Sequence, residues 1–396
     1  MNIYIWGVTS VGKYAVNNIF DGKKYIKPIA FVDNNTELHH TMVEGIPVIS
    51  YAELLSRTSM DEAMILVSCR NAAAVFQIFQ QLKNKQVRYL GLVKPSAWAL
   101  NKRINPWIKD GYVTWKVFDG ESHRVIPRLE ISLIDACNLK CKGCEAFASI
   151  YKQDSVYNID NFTKDLKSLR SVGEYARIVL VGGEPLLLNN LDQYIMVSRN
   201  LYPEADIEIV TNGLLIPNLD EKVLLSIREN DVFLSISPYI PTLKIKKKIT
   251  EVLDRYKIGN YFDARNEIKS FRRTFMLNAV NNAEKSNLAC PASGCTILRG
   301  GKIYKCSVDA QINDLYRYYG LEEQNSGGID VRLDEDVLYQ KIIDYGLKPI
   351  ATCKHCKMDN PELIPWSVKA NPILEDWLYR DGVNEEFPDN VSEANL

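Results

Sequence analysis

The chain has 396 residues, 46% of them hydrophobic and 24% charged, with 48 Lys+Arg against 49 Asp+Glu and a net charge of -1. At roughly 100–200 residues per domain this predicts two or three domains with real apolar cores, and it excludes a disordered, collagenous or low-complexity chain. The charge balance offers no bulk attraction to nucleic acid or to an anionic membrane, and no apolar run approaches the ~18 residues of a membrane span. The opening MNIYIWGVTSVGKY has no basic leader or cleavage-like site, so the expectation is a cytoplasmic protein. Nine cysteines are present, eight of them between Cys137 and Cys356. In an intracellular chain, thiols bunched at two- and three-residue spacings point to metal binding rather than disulfides.

Residues 1–95 read as a small Rossmann-like α/β domain. Asn2–Trp6 is a short apolar strand, followed by Gly7 to Gly12 and a helical pattern through Phe20. Further strands are expected at Ile29–Asp33, Glu44–Ile49, Ala63–Cys69 and Arg88–Val93, and their alternation with helical stretches predicts a parallel sheet. The Gly7…Gly12-Lys13 run is not a phosphate loop, because Tyr14 stands where Ser or Thr would bind magnesium. Two readings stay open: a dinucleotide-type turn with Asp33 ending the second strand, or the same scaffold without a nucleotide. The residues Gly7, Gly12, Phe31–Asn35 and Gly45–Ile49 resemble the N-terminal Rossmann-like domain of sugar-modifying enzymes such as bacterial sugar acyltransferases. In some of those enzymes the domain holds a nucleotide-sugar.

Residues 96–127, with Trp98, Pro106, Trp107 and Trp115, read as a connector. A second α/β series then starts. Strands are expected at Leu129–Asp135, Arg177–Val181, Asp206–Val210, Val232–Ser237 and Phe275–Val280, with helices at Asp160–Leu169, Leu191–Asn200, Asp220–Arg228 and Thr242–Tyr256. In such folds the chemistry collects at the carboxyl ends of the strands. The acidic, Asn-rich residues 383–396 are expected to be a flexible tail. Lys244–Lys248 reads as a solvated helix face, and no internal repeat is present.

Cys137, Cys141 and Cys144 follow the first strand of this series. Three thiolates without a fourth nearby Cys or His leave one metal position open, unlike a closed zinc site. An iron–sulfur cubane held by three cysteines can offer that position to a small molecule. The C-x-x-x-C-x-x-C spacing after a buried strand resembles the radical S-adenosylmethionine (radical SAM) superfamily. Gly182-Gly183-Glu184-Pro185, ending the next strand, matches its GGE motif, which in the family binds the cofactor's amino group. Thr211 and Asn212, with Ser235 and Ser237 one strand later, stand where the family sets polar residues against the cofactor's ribose and carboxylate. One departure concerns the adenine. The family has an aromatic residue before the third cysteine, and here Gly143 stands there, with Phe147 as a possible replacement.

The resemblance implies a partial (β/α)6 barrel over residues 128–285, a [4Fe-4S] cluster with an open iron site, and S-adenosylmethionine as cofactor. It implies reductive cleavage of the cofactor to a 5′-deoxyadenosyl radical that abstracts hydrogen from a substrate. It also implies a flavodoxin- or ferredoxin-type electron donor, and no nucleic acid or membrane partner.

A second cysteine group comprises Cys290, Cys295, Cys306, Cys353 and Cys356. The Gly301-x-x-x-x-Cys306 hairpin with a distant C-x-x-C resembles the SPASM/Twitch extension, here over residues 286–382, which holds an auxiliary [4Fe-4S] cluster. Cys295, Cys306, Cys353 and Cys356 are the ligands expected from the hairpin. Cys290 then has three possible roles: ligand in place of Cys295, buried thiol, or hydrogen donor to a substrate radical. A structural zinc site on the same four cysteines is the competing reading. His355 is expected to be solvated, Cys69 to be core, and four histidines in all (His39, His40, His123, His355) give little basis for a histidine-centred mechanism.

The expected activity is that of a radical SAM oxidoreductase or isomerase-type enzyme acting on a small-molecule or sugar substrate. A peptide-modifying maturase is the alternative, although the first 95 residues do not read as a winged-helix leader-binding segment. A non-catalytic iron–sulfur redox protein is a third reading.

Overall fold

A computed structural model describes residues 2–19, 27–60, 62–69, 72–82, 85, 89–93, 115–119, 124–152, 155–203, 205–262, 267–323 and 327–380. Trp98, Trp107, His123 and the 383–396 tail lie outside the described residues.

The fold is mixed α/β, built on two mainly parallel sheets. In the N-terminal sheet, Asn2–Trp6 lies at the centre, flanked in parallel by Pro28–Val32 on one side and Ala63–Val67 on the other. Ile46–Ile49 and Tyr89–Val93 extend it in parallel. These strands are apolar at almost every position because both sheet faces are covered, which is how a parallel sheet reads in sequence. Trp115–Asp119 adds as an antiparallel edge strand beside Tyr89–Val93, so part of the expected connector belongs to this sheet. Asp33 is engaged within its own turn: its carboxylate accepts the amides of Val8 (2.7 Å) and Asn35 (2.9 Å).

The second sheet carries the six parallel strands Asn260–Phe262, Val232–Ile236, Asp206–Thr211, Arg177–Gly182, Leu129–Ile134 and Ile297–Arg299, in that spatial order. The first five follow each other as a βα series. The sixth departs from that series, because it joins the far side of the first strand instead of following the fifth. Between them the chain pairs Ser270–Arg273 with Glu362–Pro365 and forms the helix Ala283–Ala289, which carries it across the sheet. The two outer members, Lys302–Tyr304 and Ile329–Asp330, are antiparallel. The expected strand at Phe275–Val280 is not formed. Phe275 makes only single bridges to Cys356 and Leu378, and its ring is held in an aromatic cluster with Phe147, Tyr316 and His355.

Alternation decides the site. Leu129, Ile131 and Leu133 pack under the helices in the main core, so Glu130 and Ser132 face the opposite side of the sheet. The helices Ile159–Val172, Leu191–Leu201, Glu221–Glu229 and Lys246–Tyr256 cover the outer face. The expected single helix Thr242–Tyr256 is two, Ile240–Lys244 and Lys246–Tyr256, and Lys244 and Lys246–Lys248 are exposed as expected. The N-terminal sheet docks through Ala72–Leu82 on Glu335–Leu347, where Phe76 lies against Gly346.

Candidate active site

Strand Leu129–Ile134 delivers Asp135 and then the cysteine loop. Asp135 is locked by Arg299, which donates to its two oxygens at 3.0 and 2.7 Å and also to Asp314 at 2.6 Å. Burial lowers the guanidinium's affinity for its proton, but the carboxylates and Tyr151 around it outweigh that and hold the charge firmly on Arg299. The loop beyond is gripped by the C-terminal segment: Lys142 N–H donates to the Ser367 carbonyl (2.9 Å) and Lys369 N–H to the Lys140 carbonyl (3.0 Å). Trp366 Nε1 donates to the Cys141 sulfur (3.2 Å), and Trp377 Nε1 to the Cys144 carbonyl (2.9 Å).

The three thiols line one cavity of about 220 Å³ together with Gly182, Gly183, Thr211, Asn212, Ser237 and Tyr239. Burial raises all three above the ordinary thiol range. It pushes Cys137 up to about 12, with the charges of Glu184 and Cys144 adding to the shift. Such thiols become thiolates when a cation takes the place of the proton, and three sulfur donors on one wall fit an iron–sulfur cluster with an open corner. The donors Leu139 N–H (3.4 Å to Cys137) and Trp366 Nε1 already point at sulfur.

Glu184 is buried and bonded to protein donors at the ends of neighbouring strands. It is 1% exposed, and its carboxylate accepts from Thr211 Oγ1 (2.7 Å), Asn212 N–H (2.7 Å) and Leu186 N–H (3.0 Å). Burial pushes it up to about 7 against the pull of those donors. Those three donors tie the carboxylate to the Thr211-Asn212 turn, and its two oxygens keep acceptor capacity beyond them. Asn212 in turn donates to Asn138 (2.7 Å) on the cysteine loop. The glycine pair also acts on protein. A Cβ at Gly182 or Gly183 would meet the carbonyls of Ile134 or Ala136 at 2.1 Å, and Gly183 N–H donates to Ile134 (2.7 Å). Pro185 begins the short turn after Glu184 and is buried, and Ser235 is buried without lining the cavity.

Gly143 sits at φ +70°, a conformation that strains an L side chain, and a Cβ there would come within 2.8 Å of Ile364 Cδ1. Phe147 does not replace it. It is 1% exposed and packs edge-on to Phe275 and Trp377. The aromatic ring on the cavity wall is Tyr239, stacked on Trp366 at 5.4 Å. Sequence reading missed Tyr239, Trp366 and Gln311, none of which stands in a motif.

All five later thiols line a second cavity of about 70 Å³ with Lys305, Glu130 and Glu145. The Ile297–Arg299/Lys302–Tyr304 hairpin forms as its sequence implies. The Cys290 charge acts on Cys295 as well as on Cys306 and Cys356, and Cys353 acts on Cys290 and Cys356. Cys295 has a different neighbourhood: burial and then the Glu130 charge push it up to about 11, opposed by Arg128. His355 is 4% exposed rather than solvated, stacked on Phe275 with Nδ1 2.9 Å from the Met276 carbonyl. Among the described residues, no three His, Cys, Asp or Glu side chains are grouped so as to hold a single metal ion. Glu130, Ile297 and Ser307 line both cavities and form the wall between them.

Residues 131–272 match the family model described as the radical SAM superfamily, and the chain therefore contains a radical SAM domain. Among curated proteins it is similar to a GTP 3′,8-cyclase of Alkaliphilus oremlandii (strain OhILAs), 34% identical over 100 residues, or 25% of this chain and 31% of the relative. The chain thus spans about a third of the length of the first curated relatives it matches. Among solved structures it is similar to BtrN in complex with AdoMet and 2-DOIA, at 17% identity over 60% of this chain and 94% of that one, with a TM-score of 0.34. It is also similar to native anSMEcpe with bound AdoMet, at 19% identity over 35% and 44% of the two chains and a TM-score of 0.29. No described helix is long and apolar enough to cross a membrane.

Proposed function

We propose that this chain holds a [4Fe-4S] cluster on Cys137, Cys141 and Cys144 and binds S-adenosylmethionine at the open iron. Its substrate would be a small hydroxyl-bearing molecule of the carbohydrate or nucleotide-sugar class. When bound, the pair supplies a reductively generated 5′-deoxyadenosyl radical that takes a hydrogen atom. The observation that carries the reading is the single cavity in which the three thiols face Gly182, Gly183, Asn212 and Ser237. The cavity's polar wall, with Glu130, Ser132 and Gln311, supports a hydroxyl-bearing substrate. Gly182 and Gly183 offer backbone groups to the cofactor, Asn212 and Ser237 hydrogen-bond its polar end, and Tyr239 gives an aromatic face. Thr211 stands on the same wall, and Glu184, Pro185 and Ser235 support it from behind. A flavodoxin- or ferredoxin-type protein supplies the electron.

In this reading the second cavity holds an auxiliary [4Fe-4S] cluster on Cys290, Cys306, Cys353 and Cys356. Cys290 is preferred to the Cys295 expected from the hairpin because the main charges acting on Cys295 are those of Glu130 and Arg128, while Cys290 lines the same cavity with the other three thiols. Thiols spread around a cavity suit a group larger than a single zinc ion.

The test is anaerobic reconstitution, counting iron and sulfide, then reduction and assay of 5′-deoxyadenosine with UDP-glucose as the first probe. Expected are about eight irons and product that vanishes in the Cys137/Cys141/Cys144 triple-Ala variant. Cys290→Ala should lose the auxiliary iron and Cys295→Ala keep it; the reverse would restore the hairpin-based ligand set. A nucleotide substrate is the second reading, favoured by the name of the curated relatives, and GTP in the same assay separates the two.

A further inference from the structure

Gln311 is 2% exposed, lies in the first turns of helix Ser307–Tyr318, directly after Cys306, and lines the cavity of Cys137, Cys141 and Cys144. Its Nε2 donates to Asp135 Oδ1 at 3.2 Å. Asp135 cannot turn away, because Arg299 holds both of its oxygens and Ser132 Oγ donates to the same Oδ1 at 3.1 Å. A carboxylate facing a side-chain amide selects the NH2 side, since the reverse orientation would set two acceptors against each other. The Gln311 amide is therefore fixed, and its Oε1 is left buried with no hydrogen-bond partner. Leaving a buried acceptor unpaired is unfavourable, and a ligand donor in the cavity would remove that penalty.

We propose that Gln311 Oε1 is a ligand-binding acceptor contributed by the C-terminal part of the chain, taking a hydrogen bond from a hydroxyl or ammonium group of the molecule bound in this cavity. Two sources of that donor exist: the cofactor, whose ribose and amino group carry such groups, and the substrate. The inference rests on the reading above that the cavity binds S-adenosylmethionine and a small polar substrate. Gln311 approaches from the Leu129–Ile134/Ile297–Arg299 side, opposite the arc of Gly182, Gly183, Asn212 and Ser237. The Asp135–Arg299 pair is its positioning element.

The experiment uses full-length reconstituted holoenzyme, with Gln311→Met removing both polar atoms and Asp135→Asn weakening the brace while keeping the Gln311 acceptor. S-adenosylmethionine affinity is titrated first. Binding of UDP-glucose, GTP and D-glucose to the loaded enzyme is then scored by saturation-transfer NMR. A cofactor donor weakens S-adenosylmethionine binding about five- to tenfold in Gln311→Met. A substrate donor leaves that affinity unchanged and weakens a probe by a similar factor. In both cases Asp135→Asn must bind better than Gln311→Met, because it keeps the Gln311 acceptor. If Gln311 only braces Asp135, the order reverses, because losing the Asp135 charge also releases Arg299. That reversal overturns the proposal, as does unchanged cofactor affinity with an unchanged probe response, nil response included. Iron content and the cluster absorption spectrum must match wild type in both variants, which separates a binding effect from misfolding. Wild-type holoenzyme that fails to bind S-adenosylmethionine overturns the cofactor reading instead, a result distinct from any difference between variants.

Discussion

Trp366 Nε1 donates to the Cys141 sulfur at 3.2 Å, across 225 residues of sequence. The indole also stacks on Tyr239, which lines the same cavity, so one side chain touches both a candidate cluster ligand and the aromatic wall. The strand that leads to it, Glu362–Pro365, is itself tied down by a fully buried ion pair between Glu362 and Arg273. The cysteine loop is therefore ordered by residues that follow it by more than two hundred positions.

An N–H donor to a cluster thiolate stabilises the more negative, reduced form. Trp366→Phe keeps the stack and removes the donor. Its cluster should titrate at a lower potential, by on the order of 40 mV for a differential of about 1 kcal/mol. Redox titration followed by electron paramagnetic resonance reads the shift; an unchanged or raised midpoint would refute this role for the indole.

Gly143→Ala forces an L side chain into φ +70° and into Ile364 Cδ1. The left-handed conformation costs about 1–2 kcal/mol for a non-glycine residue. The variant should melt lower and retain less iron after gel filtration. Adding Ile364→Ala should recover only the steric part, and full recovery would show that the backbone conformation is not strained.

Removing one partner of a buried ion pair is strongly destabilising, because the other charge is left uncompensated. Glu362→Ala should cost about 3–5 kcal/mol by urea unfolding. A conservative double replacement, Arg273→Met with Glu362→Leu, should cost much less. Equal losses in the two variants would place the effect in packing instead of charge.

Glu184 titrates at about 7 in the folded chain because it is buried, against an ordinary 4.5. The folded state then holds more protons than the unfolded state between roughly those two values, so this group's contribution to stability falls as pH rises from about 4.5 to 7 and levels off above. In chelator-stripped, thiol-reduced protein, wild type should lose melting temperature across that window more steeply than Glu184→Gln. The difference between the two curves is the readout, since other titrating groups are common to both. Parallel curves would mean that the three donors hold the carboxylate ionised throughout.

The motifs were legible because each combines a residue type with a position after a strand. Cys137, Cys141 and Cys144 follow an apolar strand, Gly182–Glu184 and Thr211–Asn212 end the next two, and the hairpin turn announces Cys306. Chemistry of that kind is local, and spacing encodes it. The contacts of Glu184 with Thr211 and Asn212 were not legible, because a pairing between side chains 27 and 28 residues apart leaves no local pattern.

The sequence by itself determined the α/β class, the parallel strands of the N-terminal sheet, four of the six parallel strands of the second sheet and the two groups of thiols, all of which follow from periodicity and from spacing within a few residues. Only the tertiary structure decided where the sixth strand lies and what Gln311, Tyr239 and Trp366 face. Those depend on contacts between segments 75 to 225 residues apart. A long-range pairing leaves no period in either partner, and it is fixed by which buried polar groups find one another when the chain closes.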